Sequence, residues 1–172
     1  MKHSIQRAMI AHHQNTAFAL LLVQVFTTFA MAGVIWQVQL VTYPQFAEVD
    51  AISFSSYHFH YSRRITFLVG PLMVLELLSA CLFAGVLFYT RLRVPGILGA
   101  VLAIGTWAVT GLVQVPLHEK LASGKDLSTI ETLVSGNWIR VALWTARSLL
   151  ISVILITVFR NSALSALRES GE

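Results

Sequence analysis

The residues of this chain that could do chemistry are few and lie far apart. His58 and His60 are close in sequence, His118 follows Pro116 well downstream, and Glu48 and Glu119 accompany them. Two histidines and a carboxylate would suit iron, copper or zinc. In a helix His58 and His60 point to different sides, so a metal set would need His118 to approach one of them. No tight ligand spacing is present, which favours hydrogen-bonded histidines at an interface and no metal. A catalytic role for His58, His60 or His118 stays open. A second group pairs an acid with a base: Glu76 and Arg147 each stand inside an apolar run, at similar distances from its end. Either one alone would cost at least about 2.5 kcal/mol to place in a membrane. Matching depths therefore predict that they meet, as a structural ion pair or as a site that binds a polar group or relays protons.

The elements that must position these residues follow from hydropathy. Of 172 residues, 56% are hydrophobic and 12% charged, against about 25% charged in soluble domains. Four stretches, 16–41, 65–89, 94–117 and 139–159, meet the requirement of about twenty apolar residues for a membrane-spanning helix. With no water to satisfy the backbone, each must be helical. The expected fold is all-α: one domain over 1–172, a transmembrane four-helix bundle of two helical hairpins, with short interfacial helices in the outer loops. Ala30-Met31-Ala32 has the form of a signal-peptidase site, but the apolar run continues to Val41, so a retained first span is expected. The net charge of +4 is scattered, which gives no reason to expect nucleic acid. A single cysteine, Cys81, rules out an intramolecular disulfide and CxxC chemistry.

Lys2, Arg7, Arg91, Arg93, Arg160 and Arg168 fall on one side of the spans, and Arg63, Arg64, Lys120 and Lys125 on the other. The modest excess predicts both termini in the cytoplasm. His3, His12 and His13 fall on the cytoplasmic approach with no evident site. Both outer connections share a plan. Tyr43-Pro44 leads through a polar stretch to Asp50, a candidate N-cap, and on to Arg63-Arg64. Val115-Pro116 leads to Ser128-Thr129-Ile130-Glu131, with capping-box spacing, and then to Gly136-Asn137, read as a helix stop and a new cap. Trp36 and Trp107 precede the two prolines, and Arg64 and Arg140 stand beside the returning spans. This reads as a degenerate duplication of one hairpin, an arrangement that often places a site between the repeats.

Polar residues inside a bilayer need partners, so they should face one another. Thr106, Thr110 and Gln114 form one ridge. Gln24, Thr28 and Gln39 lie on the first span, Glu76 and Ser79 on the second, and Arg140, Trp144, Arg147 and Ser148 on the fourth. The expectation is a polar pocket toward the outer side, with Gln39, Glu76, Gln114, Asn137, Arg140, Trp144 and Arg147 as candidate ligand contacts. Pro71 predicts a kink that could widen it. Gly96, Gly99, Ala100 and Ala103 predict close helix packing, within the bundle or in a homo-oligomer. Tyr89 and Trp138 read as interface anchors.

At the second hairpin the pattern becomes specific. Gln114-Val115-Pro116-Leu117-His118, Asn137-Trp138-Ile139-Arg140 and Trp144-Thr145-Ala146-Arg147 stand beside Tyr43-Pro44, Tyr57-His58, His60, Arg64-Ile65, Val69-Gly70-Pro71 and Glu76 in the first. Over 36–150 the chain resembles a widespread bacterial group of four-helix membrane proteins of unassigned function, which implies a bacterial inner membrane. It is more distantly similar to the anthrone-oxygenase-like superfamily, mainly in the Val-Pro turn and the Asn-x-x-Arg start of the last helix. That resemblance implies one enzymatic possibility, cofactor-independent oxidation of polycyclic phenols, with His58, His60, His118, Asn137 and Arg140 around the outer cavity. Fold-level likeness does not fix chemistry. The leading expectation is thus a multi-pass membrane protein that binds a small amphipathic ligand, the alternatives being a membrane oxygenase or oxidoreductase and a metal-binding protein. No cofactor is specified.

Overall fold

The computed structural model describes the backbone of residues 2–170 and the side chains of 14–161. His3, His12, His13, Lys2, Arg7 and Arg168 fall outside the described side chains. Six helices follow in order: α1 (Lys2–Gln37), α2 (Tyr43–Gln45), α3 (Phe54–Leu87), α4 (Arg93–Val109), α5 (Val115–Ala122) and α6 (Leu127–Ser170). A π-helical turn, Val38–Thr42, joins α1 to α2, and another, Thr110–Gln114, joins α4 to α5. The chain is all-α, with four helical runs long and apolar enough to cross a bilayer: Gln14–Gln45, Phe54–Leu87, Arg93–Ala122 and Leu127–Asn161. It is a multi-pass membrane protein.

These runs exceed the expected spans because the polar outer stretches continue the helices instead of forming separate ones. The 34 residues of α3 rise roughly 50 Å, well beyond a hydrocarbon core of about 30 Å. Asp50 holds the turn that leads into this helix, whose N-cap position is Ser53: its Oδ1 accepts the backbone N–H of Ile52 (2.9 Å) and Ser53 (3.1 Å). At the start of α6 the cap is Asp126, whose Oδ2 accepts the N–H of Thr129 (3.2 Å), and not the Ser128–Glu131 box. Nor does a helix stop at Gly136-Asn137; α6 passes through both unbroken. A glycine inside a helix costs about 1 kcal/mol, but here it admits a neighbour. A Cβ at Gly136 would stand 3.5 Å from both Gln114 Nε2 and Val113 Cγ1. α3 likewise stays helical through Pro71.

The long helices form a ring. α1 and α4 each pack against both α3 and α6, while the diagonal pairs make no backbone approach among the described residues. Gly96 permits the α3–α4 contact, since a Cβ there would meet Ala84 and Leu87 at 3.4 Å. Buried apolar side chains fill three levels. Phe46, Phe54 and Leu133 lie at the end that carries the α2–α3 and α5–α6 connections, called the loop end below. Met31, Met73 and Trp144 lie in the middle, and Leu21, Phe83 and Ile154 at the opposite end. Large apolar side chains such as Phe26, Phe67, Leu82 and Leu149 cover the outer surface.

Trp36 and Trp107 behave as counterparts. Each donates its indole N–H to the neighbouring helix of the other hairpin, Trp36 to Thr145 Oγ1 on α6 (3.1 Å) and Trp107 to the Met73 carbonyl on α3 (3.2 Å). Arg64 and Arg140 do not match: Arg64 is exposed and Arg140 buried. Trp138 packs edge-on against Trp36, their centroids 5.8 Å apart.

Candidate functional site

The polar side chains turn inward and divide into two layers. The deeper one centres on Arg147, which reaches all three other long helices. Its Nε donates to Glu76 Oε1 on α3 (2.8 Å), its Nη2 to Gln24 Oε1 on α1 (3.0 Å), and its Nη1 to the Gly99 carbonyl on α4. Glu76 also accepts from the Thr28 hydroxyl (2.9 Å) and the Trp144 indole (2.9 Å). Both members of the pair are buried. Of the two diagonals that the backbones leave unbridged, the one between α3 and α6 is closed by this ion pair together with the Trp144–Glu76 hydrogen bond. Every guanidinium nitrogen has a partner and the carboxylate has three donors; Gln24 Nε2 alone is left without one, so little capacity remains to hold a ligand.

The outer layer is built differently. A cavity of about 270 Å³ opens there, with the polar residues Tyr43, Tyr61, Thr110, Gln114, His118 and Arg140 among those that line it. Ile35, Val38, Ile65, Val69 and Met73 supply apolar surface, so residues flanking Pro71 do contribute. Several of its polar groups lack partners. Gln114 is 1% exposed, yet neither its Oε1 nor its Nε2 is hydrogen-bonded, and the same holds for Thr110 Oγ1 and Arg140 Nε. Buried amides and guanidinium groups are normally satisfied, and each exception costs about 1–3 kcal/mol.

Arg140 is held on its other sides. Its Nη1 donates to Asn137 Oδ1 (3.3 Å), and Asn137 Nδ2 donates to Gln39 Oε1 (2.8 Å). Gln39 Nε2 donates to the Val134 carbonyl (3.2 Å). The guanidinium carbon lies 5.4 Å from the Trp144 ring centroid, a cation–π distance. Tyr43 and Tyr61 are its nearest phenols. Trp144 thus separates the layers, with its N–H on Glu76 and its ring facing Arg140.

The structure brings two of the three candidate histidines together. His58 Nε2 lies 2.9 Å from His118 Nδ1, and His118 Nε2 lies 2.9 Å from the Tyr43 hydroxyl. Phe46 and Phe54 pack around the pair, and His58 Nδ1 is buried without a partner. His60 is exposed on the outside of α3, as are Glu48 and Glu119 on their own segments. No cluster of three metal-ligating side chains occurs among the described residues. The chain Tyr43–His118–His58 can pass a proton along its hydrogen bonds in either direction, depending on the tautomers.

Tyr43, Tyr61 and Trp107 were not singled out as site residues by sequence. Tyr43 carried a signal, since it directly precedes Pro44 at the end of a polar turn. Trp107 carries one as the counterpart of Trp36 before the second proline, and Tyr61 carries none beyond being aromatic near a span end. The chain matches no protein-family model, no curated protein and no solved structure.

Proposed function

We propose that this protein binds a small amphipathic ligand in the outer cavity, at the loop end of the bundle. The observation that carries the proposal is Gln114, a buried amide with neither polar atom hydrogen-bonded, together with Arg140, whose Nε is likewise unpartnered; both residues line the cavity. A ligand with a polar end would satisfy these groups while its apolar part lay against Ile65, Val69 and Met73. We place both termini in the cytoplasm on the distribution of Lys and Arg, and the membrane as a bacterial inner membrane on the resemblance to the bacterial four-helix group. The test is native mass spectrometry of protein extracted in mild detergent, wild type beside Gln114→Leu. A small molecule retained by the wild type and lost from the variant is expected. Identical spectra, with no amphiphile from a screen shifting the melting temperature of either, would remove the proposal.

A second reading, an oxygenase or other oxidoreductase akin to the anthrone-oxygenase-like proteins, draws support from the Tyr43–His118–His58 chain. It reaches the cavity wall and could take a proton from a bound phenol or enol. This reading requires oxygen uptake with a phenolic amphiphile and its loss in His118→Phe. Binding without turnover would leave the first reading alone.

A further inference from the structure

Arg140 is a buried cation with no anion. It is 5% exposed, and the one ion pair among the described residues, Arg147–Glu76, does not involve it. Glu76 already serves three donors. The other described acids, Glu48, Asp50, Glu119, Asp126 and Glu131, are all exposed. An unpaired buried charge is strongly unfavourable, and phenol hydroxyls and a Trp face only partly replace a counter-ion. The unused groups at this spot are mainly donors, Arg140 Nε–H, the two hydrogens on Gln114 Nε2 and the Thr110 hydroxyl, against one that only accepts, Gln114 Oε1. They call for an anion with at least two acceptor oxygens. A carboxylate has two oxygens and a single charge, which matches one guanidinium. A phosphate would bring up to two charges and needs more cations than the cavity wall provides.

On one side the helices that wall the cavity stand apart. The π-helical residues 110–114 make no close backbone approach to α3, although α4 before them and α5 after them both do. Thr66, Gly70 and Met73 border this gap on α3, and Trp107, Thr110 and Val115 border it on the other hairpin. The Trp107–Met73 hydrogen bond closes it below. A Cβ at Gly70 would meet no atom within 4 Å, so nothing in the protein fills the gap there. Around it the surface is apolar, with Phe67 and Leu112 exposed. Within 270 Å³ there is room for roughly nine groups the size of a water molecule. A longer tail would have to leave through the side.

Resting on the proposed reading of the cavity as a ligand site, we infer that its ligand is a monocarboxylic acid with an apolar tail, which enters from the bilayer between α3 and the second π-helical turn. The carboxylate lies on Arg140 and Gln114, and the tail runs past Gly70 toward lipid.

The experiment uses the full chain in phosphatidylcholine nanodiscs, with empty nanodiscs as the blank and bound probe counted by native mass spectrometry. The probes are decanoate, decanol and butanoate. Decanoate is expected to bind one per chain, roughly 10- to 100-fold tighter than decanol, the range for a hydrogen-bonded charge. Arg140→Gln is expected to abolish that preference and Arg140→Lys to keep part of it. Gly70→Phe, whose Cβ would meet no atom within 4 Å, is expected to weaken decanoate about tenfold or more by occupying the gap. Decanol binding as tightly as decanoate, or a preference that survives Arg140→Gln, would overturn acid recognition and leave the cavity as a ligand site. Butanoate binding as well as decanoate would overturn the bilayer source. Binding unchanged by Gly70→Phe would overturn the side entrance. If no probe binds, the inference falls, and if the amphiphile screen is also silent the proposed function falls with it.

Discussion

The two polar layers use the same chemistry to opposite ends. Arg147 and Arg140 lie on one face of α6, both buried, both among amides, hydroxyls and Trp144. Around Arg147 three helices supply a carboxylate, an amide oxygen and a carbonyl, and the guanidinium is fully engaged. Around Arg140 the protein supplies an amide, two phenols and an indole face, and leaves Nε and the nearby Gln114 unengaged. The contrast shows that a polar residue in a membrane bundle is not by itself a sign of function. What distinguishes a fastening from a receptor is whether the protein completes the shell. The deeper layer fixes how the four helices stand, and the outer layer remains incomplete in a space large enough for a guest.

The largest effect that would test this contrast is removal of one member of the ion pair. Glu76→Leu or Arg147→Leu should each lose about 3–5 kcal/mol of stability, because a buried charge is left alone. The double change should recover most of it, as read from unfolding in mixed detergent micelles. Single variants that melt like the wild type would mean that the pair does not hold the bundle. Trp144→Phe comes next. It removes a donor from Glu76 while keeping a ring near Arg140, at about 1–3 kcal/mol, and ligand affinity should change less than stability.

Arg140→Met should behave in the reverse sense. Stability should stay level or rise by about 1 kcal/mol, since an unpaired buried charge disappears, while binding is lost. A fall as large as that of Arg147→Leu would erase the distinction between the layers. The smallest effect lies outside both. The Ser53 hydroxyl and amide hold the exposed Asp50 carboxyl below its ordinary value of 3.8. Its contribution to the start of α3 is therefore complete above that value and is lost as pH falls through the lower folded-state value. Amide exchange at Ile52 and Ser53 should accelerate in that window, and Asp50→Asn should flatten the pH dependence.

Much of this was legible from residue types alone. Charged and amide side chains within apolar runs must face inward, and the similar depths of Glu76 and Arg147 were enough to bring them together across the bundle diagonal. The approach of His118 to His58 was foreseeable as one of two options, because the two outer connections had to lie side by side. Local signals misled where packing outweighed them. Gly136-Asn137 looks like a helix end, yet the missing side chain of Gly136 makes room for Gln114, and Asn137 faces inward to Gln39. Ser128 and Glu131 have capping spacing, but Asp126 precedes them with a better-placed carboxylate. The lack of partners at Gln114 and Arg140 could not be read from sequence at all, since it depends on what neighbouring helices fail to supply.

The π-helical turns have a consequence of their own. Such a turn is an α-helix that has accepted one surplus residue. At 3.6 residues per turn, one surplus residue rotates everything beyond it by about 100° relative to an uninterrupted α-helix. Each turn here runs into a dipeptide that ends in proline, Tyr43-Pro44 or Val115-Pro116. Tyr43 and His118 both lie past such a turn, and their meeting depends on two matched rotations, one in each hairpin. Deleting Leu40 or Leu112, both exposed, would remove no functional group, yet it would swing one partner away from the other. The polar lip of the cavity is therefore encoded as much in chain length as in side-chain identity.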